Sequence, residues 1–206
     1  MILRSAPASP FGRKCKIAAA LLGQPVSVVE ADTTNPADSL RRENPLGKIP
    51  TLILDDGTTL FDSSVIVAYL DAVSAEKAGG KADGTRLIPA ELGPRFAALR
   101  LEALADGLAD AALLQVYEGR WRAADRHDAA WVEHQAGKVE RALAALEAEP
   151  PTGPITVGHL ALACALGYLD LRFGGLWRER HPALVAFLDG FAAAVPSFEA
   201  TRVKQS

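Results

Sequence analysis

Two short segments of the sequence carry residues suited to holding a small polar ligand. In the first, residues 44–52, Pro50 opens an apolar run that is typical of a strand, and proline has no N–H to give to a sheet. Ile49 before it therefore keeps an exposed backbone edge. In the second, Asp62 and Ser63 begin a helical stripe twelve residues after Pro50, and a helix start favours bound carboxylates. Together the segments predict a site that recognises its ligand through both backbone and side-chain groups.

A third segment, Ser9-Pro10, marks a helix start, with serine at the N-cap and proline in the first turn. The plain interpretation is that Ser9 caps this helix. A helix start also attracts anions, and a thiolate placed there would accept a hydrogen bond from the serine hydroxyl. Lowering a thiol pKa from about 8.5 by two units needs about 2.7 kcal/mol. A hydrogen bond to a charged acceptor contributes roughly 1.5–3 kcal/mol and a helix dipole roughly 0.3–1 kcal/mol, so Ser9 could ionise a bound thiol. The competing serine, Ser5, precedes Pro7 and lies off the helix start.

Three further residues of this helix have side chains that could take part in chemistry. Cys15 lies on the apolar face of the predicted helix, which favours a buried structural cysteine. Arg13 and Lys14 are expected to be solvated, with the alternative that they add positive potential near Ser9.

The elements that must position these residues fall into two regions. Residues 1–75 mix strand and helix patterns and predict the order β-α-β-α-β-β-α, with Asp56-Gly57 as the turn of a hairpin. Residues 76–92 are rich in glycine and charge and predict a linker that leads into a long helix. Residues 93–206 carry helical patterns throughout, and the segment 160–173 is apolar nearly all round, which predicts a central buried helix.

Composition excludes several classes of protein. The chain has 206 residues and a net charge of −3, with Lys and Arg scattered and outnumbered, so no nucleic-acid surface is expected. No apolar run reaches the roughly 18 residues of a membrane span, and the N-terminus lacks the apolar region of a signal peptide. Two cysteines are too few for a disulfide framework, and the histidines lack metal-like spacing. We therefore expect a cytoplasmic protein without a metal ion, a membrane partner or a nucleic-acid partner.

The three motifs together resemble the glutathione site of the glutathione transferase superfamily. The segment from Ala8 to Lys14 is similar to the tau type, in which serine stands just before Pro-Phe, whereas the omega type has cysteine there. The resemblance covers nearly the whole chain. It implies a thioredoxin-like α/β domain at residues 1–75 and an all-α helical bundle domain at residues 93–206, which binds the second substrate.

The resemblance implies a role for each residue of the three motifs, with glutathione as co-substrate. Ser9 would be the catalytic residue that stabilises the glutathione thiolate. The implied glutathione-binding residues are Phe11, Lys48 (glycine carboxylate), Ile49 (backbone pairing with the cysteinyl part), Pro50 (a cis peptide bond), Asp62 (γ-glutamyl ammonium) and Ser63 (α-carboxylate). The family usually has Glu at the position of Asp62.

A pocket for a small hydrophobic electrophile is expected between Phe11 and the long helix. The candidate lining residues are Leu108, Ala112, Tyr117 and Trp121, although a helix stripe of this kind is also typical of core packing. The resemblance further implies a homodimer. Asp106 or Asp110 could reach the ammonium group of the partner subunit's glutathione, or could be solvated or paired on their own helix.

The segment 155–160 resembles the capping box that precedes the family's central helix. Thr156 would be the N-cap, and His159 stands at the position where the family usually has Asp. A neutral imidazole must present the correct nitrogen to accept the reciprocal hydrogen bond.

Three functions remain open at this stage. The leading hypothesis is a glutathione transferase that adds the thiolate to an electrophilic carbon or a peroxide, because serine at position 9 disfavours thiol–disulfide exchange. A glutathione-dependent isomerase or peroxidase is the second. A non-catalytic interaction module on the same fold is the third, and such modules often lose the residues that this chain keeps.

Overall fold

The N-terminal half is built on a four-stranded mixed sheet. The computed structural model describes residues 1–77 and 86–203. Within them, β1 (Ile2–Ser5) pairs in parallel with β2 (Ser27–Glu30) and antiparallel with β3 (Thr51–Ile53), which pairs antiparallel with β4 (Thr59–Phe61). The spatial order is β2-β1-β3-β4. The hairpin between β3 and β4 turns at Gly57, whose φ of 87° suits glycine.

Three helices complete this half: α1 (Pro10–Leu21), α2 (Leu40–Glu43) and α3 (Ser63–Lys77). Their order with the strands is the predicted β-α-β-α-β-β-α, and the predicted α/β fold class is confirmed. Helix α1 packs on α3 on one side and on the helical half on the other, so its Gly12, Arg13, Lys14 and Cys15 are all buried.

The helical half consists of α4 (Leu92–Trp121), α5 (Ala129–Ala148), α6 (Val157–Phe173), α7 (Pro182–Ala194) and α8 (Pro196–Ala200), with two short 3₁₀ turns between them. Helix α6 is buried along most of its length, as its apolar sequence predicts. Its first turn presses against α4, where a Cβ at Gly158 would lie 2.7 Å from the Ala98 carbonyl oxygen. Glycine at this position therefore permits the close approach of the two helices.

Part of the segment predicted as a linker is packed. Helix α3 continues to Lys77, and residues 78–85 of that segment lie outside the described residues. The buried Asp71 fixes the chain at residues 86 and 87. It pairs with Arg86 at 2.9 Å and accepts the Leu87 N–H at 2.6 Å. In the part of the chain that the structure describes, no helix combines the length and apolar character needed to cross a membrane.

The first turn of α6 is closed by a capping box. Thr156 lies in extended conformation, and its N–H donates to His159 Nδ1 at 3.3 Å, while its hydroxyl lies 2.9 Å from the same nitrogen. Burial lowers the pKa of His159 below its ordinary value of 6.5. Above pH 6.5 the imidazole is therefore neutral, and its Nδ1 can accept.

Protonating His159 should weaken this cap. Because the folded pKa is the lower one, stability is full above the ordinary value of 6.5 and falls as pH drops through it. We expect the wild type to lose about 0.5–1 kcal/mol of unfolding free energy more than His159→Gln between about pH 8 and pH 5, since glutamine accepts without titrating. Urea unfolding at both pH values measures the difference, and identical pH dependence of the two proteins would contradict it.

Candidate active site

Ser9 is the N-cap of α1, and its hydroxyl can still donate a hydrogen bond. Its Oγ accepts the Gly12 N–H at 3.0 Å, and Pro10 occupies the first helical position. A hydroxyl can accept and donate at the same time, and among the described residues the Ser9 hydroxyl has no acceptor for its hydrogen. The capping and thiolate-binding interpretations of Ser9 are therefore compatible.

Ser5 is excluded from this role by its burial. Its side chain is 1% exposed, its hydroxyl points to the Ala6 carbonyl oxygen, and it packs directly under Gly12. A Cβ at Gly12 would overlap the Ser5 hydroxyl. Ser5 thus packs against the first turn of α1 from the protein interior, whereas Ser9 is partly exposed.

The loop before β3 is fixed by side-chain hydrogen bonds, and its Ile49–Pro50 peptide bond is cis. The Lys48 carbonyl oxygen accepts from Asn44 Nδ2 at 2.9 Å and from the Thr51 hydroxyl at 3.1 Å. Among the described residues, the N–H and C=O of Ile49 have no hydrogen-bond partner. The loop therefore presents one free backbone edge, with the exposed Lys48 beside it.

The start of α3 presents a carboxylate in an unusual backbone conformation. Asp62 has a φ of 70°, in the left-handed region that aspartate tolerates better than most side chains. Its Oδ1 accepts the Ser64 N–H at 2.8 Å, and its side chain is exposed. Ser63 follows at the first position of α3 and is buried. Strained backbone of this kind clusters at binding sites.

Lys14 lies in a buried ion cluster that connects α1, α3 and α4. Its side chain is 1% exposed, and its Nζ lies 3.0 Å from Glu102 and 2.6 Å from Asp106. Asp106 also accepts from the Ser64 hydroxyl at 3.3 Å. Burial alone would lower the pKa of Lys14, but the two carboxylates raise it overall. Burial raises the pKa of Asp106, although Lys14 opposes that shift.

The expectation of a solvated Lys14 and Arg13 is therefore wrong, since both side chains are buried. Their partners lie far along the chain, so helical periodicity around α1 gave no sign of them. A signal was present in α4, where Glu102 and Asp106 stand four residues apart within an apolar helix. Two carboxylates on one partly buried face require a cation from another element.

Replacing Lys14 with methionine should strongly destabilise the protein, because Glu102 and Asp106 would stay buried without their cation. We expect the free energy of unfolding to fall by about 3 kcal/mol, measured by urea denaturation. Adding Glu102→Gln should recover about 1 kcal/mol or more of that loss. The exposed Arg100→Met is the control, since the Arg100 side chain has no hydrogen-bond or ion-pair partner among the described residues, and the expected change is below about 0.5 kcal/mol. A loss for Lys14→Met as small as the control's would contradict the account.

An open cavity of about 350 Å³ borders Ser9, and we call it the Ser9 cavity. It lies between the start of α1, the second half of α6 and the C-terminal residues. Its lining residues are Pro7, Ala8, Ser9, Pro10, Arg13, Cys164, Gly167, Tyr168, Asp170, Leu171, Phe198, Arg202 and Val203.

The residues predicted to line a second-substrate pocket take different positions. Leu108 and Ala112 are fully buried in the core. Tyr117 is partly buried, with the Arg120 guanidinium 5.1 Å from its ring centre, and Trp121 is exposed. None of these four lines the Ser9 cavity. Phe11 is partly buried and packs against the core.

The described residues offer no metal centre and no disulfide. In residues 1–77 and 86–203, no three His, Cys, Asp or Glu side chains are grouped to hold a metal ion. Cys15 and Cys164 are free and buried. Burial raises the pKa of the Cys15 thiol well above its ordinary range and that of Cys164 to about 12, so neither is a reactive thiolate.

Comparison with known proteins places this chain in a family. Residues 3–78 match the family model of the glutathione S-transferase N-terminal domain, and residues 129–190 match that of its C-terminal domain. A protein of Escherichia coli K12, described as the uncharacterized GST-like protein YibF, is 30% identical over 187 residues, which are 88% of each chain. The chain belongs to the glutathione S-transferase family.

Solved structures of similar proteins contain glutathione. A glutathione S-transferase of Methylobacillus flagellatus KT with bound glutathione superposes with a TM-score of 0.88 at 35% identity, over 98% of this chain and 99% of its own. A glutathione transferase family member of Pseudomonas fluorescens Pf-5 with bound glutathione gives 0.88 at 39% identity, over 99% of both chains. A second structure of that Pseudomonas protein holds S-(propanoic acid)-glutathione, with a TM-score of 0.84 over 100% of both chains.

Proposed function

We propose that this protein is a cytoplasmic, detoxifying glutathione transferase in which Ser9 stabilises the thiolate of bound glutathione. The observation that carries the proposal is the Ser9 hydroxyl, which caps α1, keeps its hydrogen free and borders the Ser9 cavity. A thiolate at this position receives the hydroxyl hydrogen and the positive end of the α1 dipole. Two free, buried cysteines are consistent with a reducing compartment.

Glutathione would lie along the edge formed by the loop before β3 and the start of α3. The free backbone edge of Ile49 suits the cysteinyl part, and the exposed Lys48 suits the glycine carboxylate. Asp62 suits the γ-glutamyl ammonium, and the first-turn N–H and hydroxyl of Ser63 suit the α-carboxylate. The relatives from Methylobacillus and Pseudomonas, which hold glutathione, support this placement.

The reaction then requires little more than an ionised, positioned sulfur. The thiol proton leaves to solvent as glutathione binds, and the thiolate forms a C–S bond to an electrophilic carbon. In a substitution the leaving group departs with its bonding electrons, and in an addition the π electrons move to the neighbouring atom, which takes a proton from solvent. Holding sulfur and electrophile together in the Ser9 cavity supplies orientation. A peroxide would be attacked by the same thiolate, and an isomerase would add and release it, so both alternatives use the same site.

An interaction module is the third candidate, and the site argues against it. A protein that served only as a docking surface would have no need of a strained Asp62 or a free backbone edge at Ile49. This protein has both the strained Asp62 and the free edge of Ile49, together with the open cavity beside Ser9. Retention on immobilised glutathione separates a binding protein from a scaffold.

The proposed enzyme is a homodimer, in which Asp110 is the stronger candidate for a contact with the partner subunit's glutathione. Asp106 is held by Lys14 at 2.6 Å and is not free for such a contact. The Asp110 side chain is accessible to solvent on α4, but nearby protein atoms partly desolvate it and so raise its pKa, while the charge of Lys48 opposes that rise.

Removing the Ser9 hydroxyl should slow conjugation. We expect Ser9→Ala to lower kcat/KM for chlorodinitrobenzene by about 10- to 100-fold, the value of one hydrogen bond to a charged acceptor. Loss of the cap should also cost about 1 kcal/mol of stability. Ser9→Thr keeps a hydroxyl and should stay within about fivefold of the wild type in steady-state kinetics. An alanine variant with wild-type kcat/KM would refute the role of Ser9.

The charge of Asp62 should matter more to glutathione affinity than to folding. We expect Asp62→Asn to raise the Kd of glutathione by about fivefold, because the amide keeps the hydrogen bond to the Ser64 N–H but loses the pairing with the ammonium. Asp56→Asn is the matched control, since Asp56 accepts the Thr58 N–H at 2.9 Å in the same local pattern. Calorimetric titration measures both values, and equal effects of the two substitutions would exclude the proposed contact.

A further inference from the structure

Arg13 is a buried cation that has no carboxylate partner among residues 1–77 and 86–203. Its side chain is 8% exposed, and its Nη2 donates to the Phe198 carbonyl oxygen at 2.6 Å and its Nε to the Thr201 hydroxyl at 3.2 Å. Its guanidinium carbon lies 3.9 Å from the centre of the Phe198 ring. Among the described residues, Nη1 has no acceptor and no carboxylate comes within ion-pair distance of Arg13.

An unpaired buried charge is unusual enough to need an explanation. Arginine stays protonated in proteins, and charges taken out of water are normally paired. Burial lowers the pKa of Arg13 below its ordinary value, so the more distant negative charges do not fully compensate the buried guanidinium. The two contacts with α8 and the residue after it satisfy hydrogen bonds but supply no negative charge.

Arg13 lines the Ser9 cavity on the same side of α1 as Ser9. Ser9 is the N-cap and Arg13 lies one turn into the helix, and both border this cavity. An anion that paired with Nη1 inside this cavity would therefore be attached to a molecule beside the Ser9 hydroxyl.

The other charged groups around the cavity are already balanced. Asp170 is held by Arg178 at 2.6 Å and by Trp177 Nε1 at 2.9 Å. Arg202 pairs with Glu199 at 2.8 Å and is largely exposed. Cys164 is a neutral thiol, since burial raises its pKa to about 12. Arg13 is therefore the unbalanced charge on the cavity wall among the described residues.

A glycine opposite Arg13 keeps room for the guanidinium. A Cβ at Gly167 would lie 2.5 Å from Arg13 Nη1 and 3.5 Å from the Phe198 ring. Any side chain at this position of α6 would force Nη1 to move from its present position. Helices α6 and α8, both distant from Arg13 in sequence, thus contribute to the position of its guanidinium.

We propose that the Ser9 cavity selects second substrates that carry a carboxylate, which pairs with Arg13 Nη1 while the electrophilic carbon faces the glutathione sulfur. This inference rests on the proposed function, because it names the substrate class of the same site. The chemistry is unchanged: the sulfur forms a C–S bond, the leaving group departs with its electron pair, and the thiol proton has gone to solvent. The carboxylate takes no part in bond making and fixes the orientation of the substrate.

Product analogues test the inference without depending on turnover. Two glutathione S-conjugates of matched shape are compared, one with a propanoic acid and one with a propanamide on sulfur, together with free glutathione. We expect the wild type to bind the acid about tenfold more tightly than the amide, the value of one charge-assisted hydrogen bond. Calorimetric titration gives the three Kd values.

Substitutions at and around Arg13 test whether this residue causes the preference for the acid over the amide. Arg13→Gln should bring the acid-to-amide ratio to about one while the Kd of free glutathione stays unchanged, and Arg13→Lys should keep part of the preference. Gly167→Ala should reduce the ratio by displacing Nη1. Arg126→Gln removes an exposed arginine outside the cavity and should leave the ratio unchanged. Thermal unfolding of each variant identifies any that fail to fold. The acid-to-amide ratio of the wild type is measured without any variant, so it tests the inference even if a variant does not fold.

The outcomes separate this inference from the proposed function. Equal binding of acid and amide by a wild type that binds glutathione overturns the inference alone. A preference that survives in Arg13→Gln also overturns it, because the charge would then come from another group. A wild type that binds neither glutathione nor the conjugates overturns the proposed function and the inference together.

Discussion

The enclosure of helix α1 is the constraint on which the rest of the structure depends. Its residues 12–15 are all buried, because α3 covers one side and α6 the other. Lys14 adds a fixed point by pairing with two carboxylates of α4. A helix held in this way cannot tilt without breaking ion pairs and core contacts. Its N-terminus, and the Ser9 hydroxyl with it, therefore keeps a constant position relative to both halves of the chain.

Three residues at or near the start of the fixed helix α1 have different roles. Ser9 closes the helix and leaves its hydrogen free, Arg13 carries an unbalanced charge to the cavity wall, and Lys14 joins the two halves. The two buried cations are neutralised unequally. Lys14 pairs with two carboxylates, whereas no carboxylate of the described residues lies within ion-pair distance of Arg13. That inequality distinguishes a structural cation from one that is available to a ligand.

Local sequence patterns predicted the order of the elements, the helix starts after Ser9 and Asp62 and the strand after Pro50, because each pattern is short. A serine before Pro-Phe, a proline before a strand and an Asp-Ser pair before a helix each specify their own geometry within a few residues. The burial of Arg13 and Lys14 could not be predicted in this way, since their partners lie 185 and 88 positions away. Leu108 and Ala112 show the same limit, because an apolar helix stripe looks alike whether it faces the core or a pocket.

The most direct test of the account is the ionisation of glutathione bound to the wild-type protein. The ultraviolet absorbance of the thiolate is followed across pH at saturating glutathione and compared with free glutathione. We expect an apparent thiol pKa of about 6.5, against the ordinary value of about 8.5, because the Ser9 hydroxyl and the α1 dipole stabilise the charge. A bound thiol that ionises at the same pH as free glutathione would contradict the central claim.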